Sequence, residues 1–173
     1  MTKLIYYAAS SLDGFIADKE GDISWLDMIN LDQDDHGFNA FYESIDSLIM
    51  GRRTFEQIVD FGDWPYPGKP CWVLSNSGIT SDYDRVNITS QNPDQLMKSL
   101  QQQGYTRTWL VGGGTLARSF HNHSLIDEYF VSVIPYLLGE GIPLLGHAGH
   151  ACQLKLIESI QHASGVVQLR YGR

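Results

Sequence analysis

Apolar residues in this chain come in short unbroken runs separated by glycine-rich turns. Leu4-Ile5-Tyr6-Tyr7-Ala8-Ala9, Leu48-Ile49-Met50, Cys71-Trp72-Val73-Leu74 and Thr108-Trp109-Leu110-Val111 show no polar alternation, the pattern of strands covered on both faces. Between them the apolar spacing changes to three and four. Residues 93–103 give the clearest helix: Asn92 can cap it, Pro93 suits its first turn, Asp94 complements its dipole, and Gly104 ends it. Leu96, Met97 and Leu100 form its core stripe. Weaker periodicity predicts helices at 34–44 (Phe38, Phe41, Tyr42 and then Ile45), 54–59 and 115–121. Beyond residue 125 the texture turns to strands at 128–133, 153–160 and 166–171, with a Gly/Pro-rich stretch at 135–149. This tail is expected to be antiparallel. The whole predicts an α/β fold: a mostly parallel central sheet, antiparallel C-terminal strands at one edge, and helices on both faces.

Length and charge narrow the picture. A chain of 173 residues buries enough surface to stand as one domain over 1–173, without a disulfide or structural metal. Its net charge of −8 repels phosphate backbones and anionic lipid, so neither nucleic acid nor membrane is expected as a partner. Cys71 and Cys152 lie far apart with no CxxC pair, which fits reduced thiols in the cytoplasm. The apolar stretch at 4–9 is too short for a signal peptide and far short of the roughly 20 residues that span a bilayer.

Two junctions carry candidate chemistry. Gly112, Gly113, Gly114 and Thr115 follow a predicted strand and open a predicted helix, where bare backbone amides and the helix dipole suit a phosphate. The string fits G-x-G-x-x-A, but no acidic residue lies about 20 positions on, so a standard Rossmann site is not indicated. A tight strand–helix turn explains it equally. Gly51, Arg52, Arg53 and Thr54 form the second junction, in which paired guanidinium groups can clamp phosphate or simply pair with Glu56. It lacks the lysine of a P-loop, which argues against nucleoside-triphosphate hydrolysis. Ser75 and Asn76, at a third strand end, offer small polar groups for the adenosine side of the same ligand. Separated phosphate-suited bends imply a dinucleotide, and the extra arginine favours the 2′-phosphate of NADP.

Asp13, in the loop after the first strand, either bonds to a substrate or folds the turn beside Gly14. His36 beside Asp34 and Asp35 reads as a solvated helix start. His121, His123, His147, His150 and Cys152 resemble metal spacings without a carboxylate to complete a set, so no metal is expected. No Gly-x-Ser-x-Gly elbow supports a hydrolase.

The series Ser11-Leu12-Asp13-Gly14-Phe15-Ile16-Ala17, Met50-Gly51-Arg52-Arg53-Thr54-Phe55-Glu56, Val111-Gly112-Gly113-Gly114 and the stretch from Pro135 through Leu-Leu-Gly-Glu-Gly to Leu145 resembles the dihydrofolate reductase superfamily. It is closest in kind to the branch similar to the C-terminal reductase domain of the bifunctional riboflavin-biosynthesis protein. The likeness runs over residues 4–170. It implies that Gly51, Arg52, Arg53 and Thr54, with Ser75 and Asn76, hold the adenosine-side phosphates of NADPH, and that residues 112–115 hold the pyrophosphate. Ala9 and Ile16 match positions that meet the nicotinamide. Dihydrofolate reductases carry a carboxylate on the first helix; counting back from Gly51 puts Asp35 there, whereas aligning Phe41 puts Gly37 there. The attached deaminase of the riboflavin protein has a zinc signature that this chain lacks. The resemblance thus implies an NADPH-dependent reductase of a pyrimidine- or pterin-like heterocycle or its ribose imine, with Asp13 and Asp35 as candidate acids and Trp25 and Phe38, alongside Trp64, as candidate substrate walls. Dihydrofolate reduction is the alternative, as is a non-catalytic nucleotide-binding or dimerisation module. The apolar stretch at 129–138 can pair across a homodimer or simply fill the core.

Overall fold

In the computed structural model, which describes residues 1–29, 34–147 and 149–173, the elements run β1 (Lys3–Ser11), β2 (Phe15–Ala17), a 3-10 turn (Ser24–Met28), α1 (Phe38–Ser44), β3 (Ser47–Gly51), α2 (Arg52–Asp60), β4 (Cys71–Leu74), β5 (Val86–Thr89), α3 (Pro93–Gln102), β6 (Arg107–Gly112), α4 (Gly114–Asn122), β7 (Glu128–Ile134), β8 (Ile142–Pro143), β9 (Lys155–Gln161) and β10 (Val167–Gly172). Eight strands form one sheet in the order β5-β4-β3-β6-β1-β7-β10-β9, and β2 pairs with β8 beside it. From β5 to β7 every pairing is parallel; β10 and β9 are antiparallel.

This is the expected α/β architecture, with two refinements. First, β7 is not part of an antiparallel block: it runs parallel to β1 from Ile5↔Glu128 to Ser11↔Ile134. The α4 crossover carries the chain back to the starting end of the sheet, which forces a parallel strand, whereas the short link from β9 to β10 permits only a hairpin. That link closes with His162 N donating to Val166 O. Second, Val86–Thr89 adds an edge strand; its alternating polar residues gave no apolar run to read.

Successive residues of β1 serve opposite faces. Leu4 and Tyr6 join Ile49, Leu110, Leu96, Leu100 and Phe120 under α3 and α4, while Ile5 and Tyr7 join Leu48, Met50, Trp109, Phe41 and Phe55 under α1 and α2. Leu96 and Leu100 are fully buried, each contributing about 1.5–3 kcal/mol. Trp64 packs on this second layer, its ring 5.3 Å from Tyr83 and its Nε1 donating to Tyr66 O at 2.9 Å.

The helix starts differ in a way that bears on the site. In α3 the Asn92 side chain accepts from Gln95 N and the Gln95 side chain accepts from Asn92 N, a closed capping box. The first helix begins at Phe38 rather than at residue 34, because His36 and Gly37 hold positive φ angles of 51° and 76°. Asp35 caps it from outside, accepting from Gly37 N at 2.9 Å and Asn39 N at 3.0 Å. Neither α2 nor α4 has a side-chain cap or an acid in its first turn.

Candidate functional site

The two uncapped helices begin where β3 and β6 end, on adjacent strands. Gly51 pairs across to Leu74 of β4, and Met50 pairs with Gly112 of β6, so three strand ends stand in a row. A Cβ added to Gly51 would lie 3.7 Å from Gly112 O and 3.8 Å from the Leu116 side chain. One added to Gly113 would lie 3.6 Å from Thr54 Oγ1 and 4.0 Å from Ile16 Cδ1. Glycine at both bends therefore keeps the floor between α2, α4 and β2 bare, with helix N-termini on two sides and backbone dipoles favouring an anion.

Charge at this floor comes from α2. Arg52 is exposed but tethered: its Nε donates to Glu56 Oε1 at 2.6 Å and its Nη1 to Ser77 Oγ at 2.7 Å, tying the end of β3 to the turn after β4. In that turn Ser75 Oγ lies 2.9 Å from Ser77 Oγ and receives Ser77 N at 3.2 Å. Arg53 is exposed and has no hydrogen-bond or ion-pair partner among the described residues. Two cations at a helix N-terminus oppose the macrodipole, an unfavourable arrangement that a bound anion relieves.

A second set of loops closes over the start of α4. A Cβ on Gly114 would collide with Pro143 O, and one on Gly141 with Ala17 O. Tyr6 OH donates to Leu144 O at 2.6 Å and Leu144 N to Gly14 O at 2.9 Å. Asp13 belongs to this packing: its carboxylate accepts from Ser11 Oγ at 2.6 Å, Gly139 N at 2.7 Å and Leu138 N at 3.1 Å. The Ser11 hydroxyl, followed by these amides, holds its pKa below the usual carboxylate range. Asp35 is likewise held low by the amides of Asn39 and Gly37. Both carboxylates thus fasten backbone.

Ala9 stands where β1 outruns β6: pairing to β6 ends at Tyr6↔Leu110, while pairing to β7 continues to Ser11. Beyond that notch a polar row crosses the sheet, Ala9↔Ser132↔Gln168. Gln168 Nε2 lies 3.1 Å from Tyr7 OH, 3.0 Å from Ser132 Oγ and 2.9 Å from His36 O. Burial pushes the Tyr7 phenol up despite its bonds to Ser132 and Gln168. His36 is buried, not solvated. Phe38 caps this region, 6.3 Å from Tyr7 and 5.6 Å from Trp109 between ring centres. Trp25 stacks 5.8 Å from Tyr136, and its buried Nε1 has no acceptor among the described residues. Sequence reading missed Ser132 and Gln168; a glutamine in the otherwise apolar start of β10 was the available signal.

Two further histidines are held by local partners. His121 is buried, with Nδ1 2.6 Å from Tyr129 OH and Nε2 2.8 Å from His150 O, and His123 pairs with Asp94. A large concavity at the opposite end of the sheet, lined by Asp46, Trp72, Arg85 and Tyr105 among others, lies at the strand N-termini. Its charges are engaged: Asp46 accepts from Thr106 N and Arg85 donates to Gly68 O.

A mostly parallel sheet with two antiparallel strands at one side, bent through glycine at its C-terminal ends, is the expected dihydrofolate-reductase-like arrangement. Residues 2–168 match the RibD C-terminal domain, and the chain belongs to that family. It is 34% identical over 172 residues to the uncharacterized protein YwjB of Bacillus subtilis, covering 99% of this chain and 98% of that one. YyaP of the same organism, also uncharacterized, is 31% identical over 180 residues, covering 98% and 94%. Among solved structures, a putative riboflavin biosynthesis protein from Shewanella sp. PV-4 superposes with a TM-score of 0.91 at 34% identity, covering 99% of both chains. A deaminase/5-amino-6-(5-phosphoribosylamino)uracil reductase from Thermotoga maritima shares the fold at a TM-score of 0.76 and 13% identity, with 99% of this chain matching 56% of that one.

Proposed function

We propose that this protein is an NADPH-dependent oxidoreductase that delivers hydride to a pyrimidine- or pterin-like heterocycle or its ribose imine. The observation that carries the reading is the bare floor at Gly51 and Gly113, flanked by Thr54, Ile16 and two uncapped helix starts. Such a floor fits a phosphate-bearing dinucleotide, since side chains there would fill the space and the amides would otherwise lack anionic partners. Residues 112–115 would hold the pyrophosphate; Gly51, Arg52, Arg53 and Thr54, with Ser75 and Asn76 alongside, would hold the adenosine-side phosphates; Ala9 and Ile16 would meet the nicotinamide. When bound, the cofactor supplies the hydride.

The chain's own part is orientation and exclusion of water. Arg53 contributes a guanidinium, unpaired among the described residues, for the 2′-phosphate, and Arg52 fixes the serine turn beside it. Over the Ala9↔Ser132↔Gln168 row, Phe38 walls the substrate, and Trp25, stacked on Tyr136, offers through Nε1 a buried donor that has no acceptor among the described residues, an arrangement that costs about 1–3 kcal/mol. An acceptor on a flat heterocycle offsets that cost. Dihydrofolate reduction fits less well, because the Asp35 carboxylate is spent on Gly37 N and Asn39 N. The same commitment of Asp13 and Asp35 favours, as a second reading, a nucleotide-binding module without catalysis.

Two buried or half-buried free thiols fit a cytoplasmic setting; burial pushes the Cys71 thiol up to about 12, leaving it inert. None of the described helices is long and apolar enough to cross a membrane. For a homodimer, β7 is unavailable for strand pairing because β1 and β10 occupy both its edges; the open edge at that end of the sheet is β9, where Leu156, Ile157 and Ile160 are exposed. The test is a titration of reduced cofactor followed by tryptophan fluorescence, then a screen of heterocycles for oxidation of the bound nicotinamide. Saturable NADPH binding with turnover of one heterocycle class supports the reductase; binding without turnover supports the module; no binding overturns both.

A further inference from the structure

Next to the polar row, three side chains from two distant segments of the chain converge on one point. Asp34 and His36 precede α1, and His162 lies in the turn between β9 and β10. Asp34 Oδ2 is 3.1 Å from His162 Nδ1 and 3.9 Å from His36 Nε2. The three ligand atoms all lie within 4.8 Å of one another. His36 is 6% exposed and His162 14%, while Asp34, at 47%, opens the point to solvent.

The hydrogen-bond pattern determines what can sit there. Gln168 Nε2 faces the His36 carbonyl oxygen, which only accepts, so the amide cannot be turned around. Gln168 Oε1 therefore faces His162 Nε2 at 3.0 Å, and that nitrogen must carry its hydrogen. In the neutral ring, Nδ1 is then a lone pair aimed at the Asp34 carboxylate, another acceptor, 3.1 Å away. Two acceptors at that separation need a cation between or upon them: a second proton on the ring, or a metal ion.

We propose that Asp34, His36 and His162 form a binding site for a divalent transition-metal ion of the zinc type. Two imidazoles and one carboxylate are a donor set for zinc and its neighbours rather than for calcium or magnesium. Bonds of about 2.0–2.2 Å to such an ion place neighbouring ligand atoms about 3–3.5 Å apart, so the Asp34–His162 pair already has the spacing, and the two pairs made by His36, at 3.9 Å from Asp34 and within 4.8 Å of His162, close by movement of the His36 ring. The surrounding groups are those that orient ligands: Gln168 fixes the His162 tautomer, and His36 N holds Asp34 Oδ1 at 2.8 Å, leaving Oδ2 for the ion. Ser164 Oγ, 2.7 Å from His36 Nε2, stands ready to exchange that bond for one to an ion-bound water. The ion would clamp the segment before α1 to the β9–β10 turn, independently of whether the protein is a reductase.

The test uses the full chain stripped with a chelator and titrated calorimetrically with Zn²⁺, in parallel with Co²⁺ followed by its visible absorption. One equivalent is expected to bind, with affinity falling about tenfold or more in His162→Ala and in Asp34→Asn, and with the cobalt band lost in both. Asp34→Asn is nearly isosteric and half-exposed, so it keeps the test decisive should His162→Ala fail to fold. His123→Ala and His150→Ala are expected to bind as the unaltered protein does. No saturable binding, binding that survives both substitutions, or binding abolished by His150→Ala would each overturn the site.

Discussion

The carbonyl oxygen of Pro143 stands within clash distance of where a Cβ on Gly114 would lie. The contact locks the strand β8 against the first turn of α4, and Tyr6 OH and Gly14 O hold the next residue, Leu144. Any side chain at 114 must push that backbone away. Gly114→Ala is expected to cost about 1–3 kcal/mol of stability, the usual penalty of overpacking a filled site, and to weaken NADPH binding by displacing the amides of α4. Thermal unfolding and cofactor titration on the same variant check both effects; unchanged stability would mean that the loop yields freely.

Asp13 predicts a local effect. Its carboxylate holds the amides of Leu138 and Gly139, and its depressed pKa means the latch persists as pH falls until the carboxyl protonates below its ordinary range. The contribution is complete above the unfolded-state pKa and lost through the folded one. Asp13→Ala should speed hydrogen exchange at Leu138 and Gly139 while leaving β1 and β6 protected. Exchange unchanged at those two amides would show that the loop is held by its other contacts.

Glu128 gives the clearest dependence of global stability on pH. Its side chain is almost wholly buried between Lys3 and Arg170, with Arg170 Nε and Nη2 each 2.8 Å from Oε2. Burial by itself would raise its pKa, but the bonds from Arg170 and Lys3 prevail and hold it below the usual glutamate value. A lowered folded pKa stabilises the protein above the unfolded-state value, and that stabilisation is lost as pH falls through the folded value. Glu128→Gln should destabilise by about 3 kcal/mol at neutral pH and flatten the acid limb of a Tm-against-pH curve. A variant that keeps the original acid limb would place the controlling carboxylate elsewhere.

The sequence disclosed what is local and little of what is distant. Strands β1, β3, β4 and β6 are central, so both their faces are apolar and their runs stand out; β5, at the edge, alternates and shows no such run. The α3 capping box was legible because all its parts lie within four residues. The parallel course of β7 was not, because it depends on the crossover through α4. The strand–glycine–helix junctions at Gly51 and at residues 112–114, being contiguous in sequence, were visible as motifs. The polar assembly of Tyr7, Ser132, Gln168 and His36 was not visible, since its members are separated by up to 161 positions and meet only through strand register.

Arg52 and Arg53 are adjacent in sequence but have different surroundings, and this separates cofactor choice from turn geometry. Arg52 is bonded to Glu56 and Ser77, so Arg52→Ala also frees the Ser75–Ser77 turn. Arg53 has no partner to release among the described residues. Hydrogen bonds to charged groups contribute about 1.5–3 kcal/mol each, or roughly tenfold or more in affinity. Arg53→Ala should therefore weaken NADPH by about that factor and leave NADH unchanged, whereas Arg52→Ala should weaken both, NADPH more. Parallel titrations of the two cofactors decide the matter. Equal losses for NADPH and NADH in Arg53→Ala would remove the 2′-phosphate from this corner of the sheet and assign the arginine pair to the shared part of the dinucleotide.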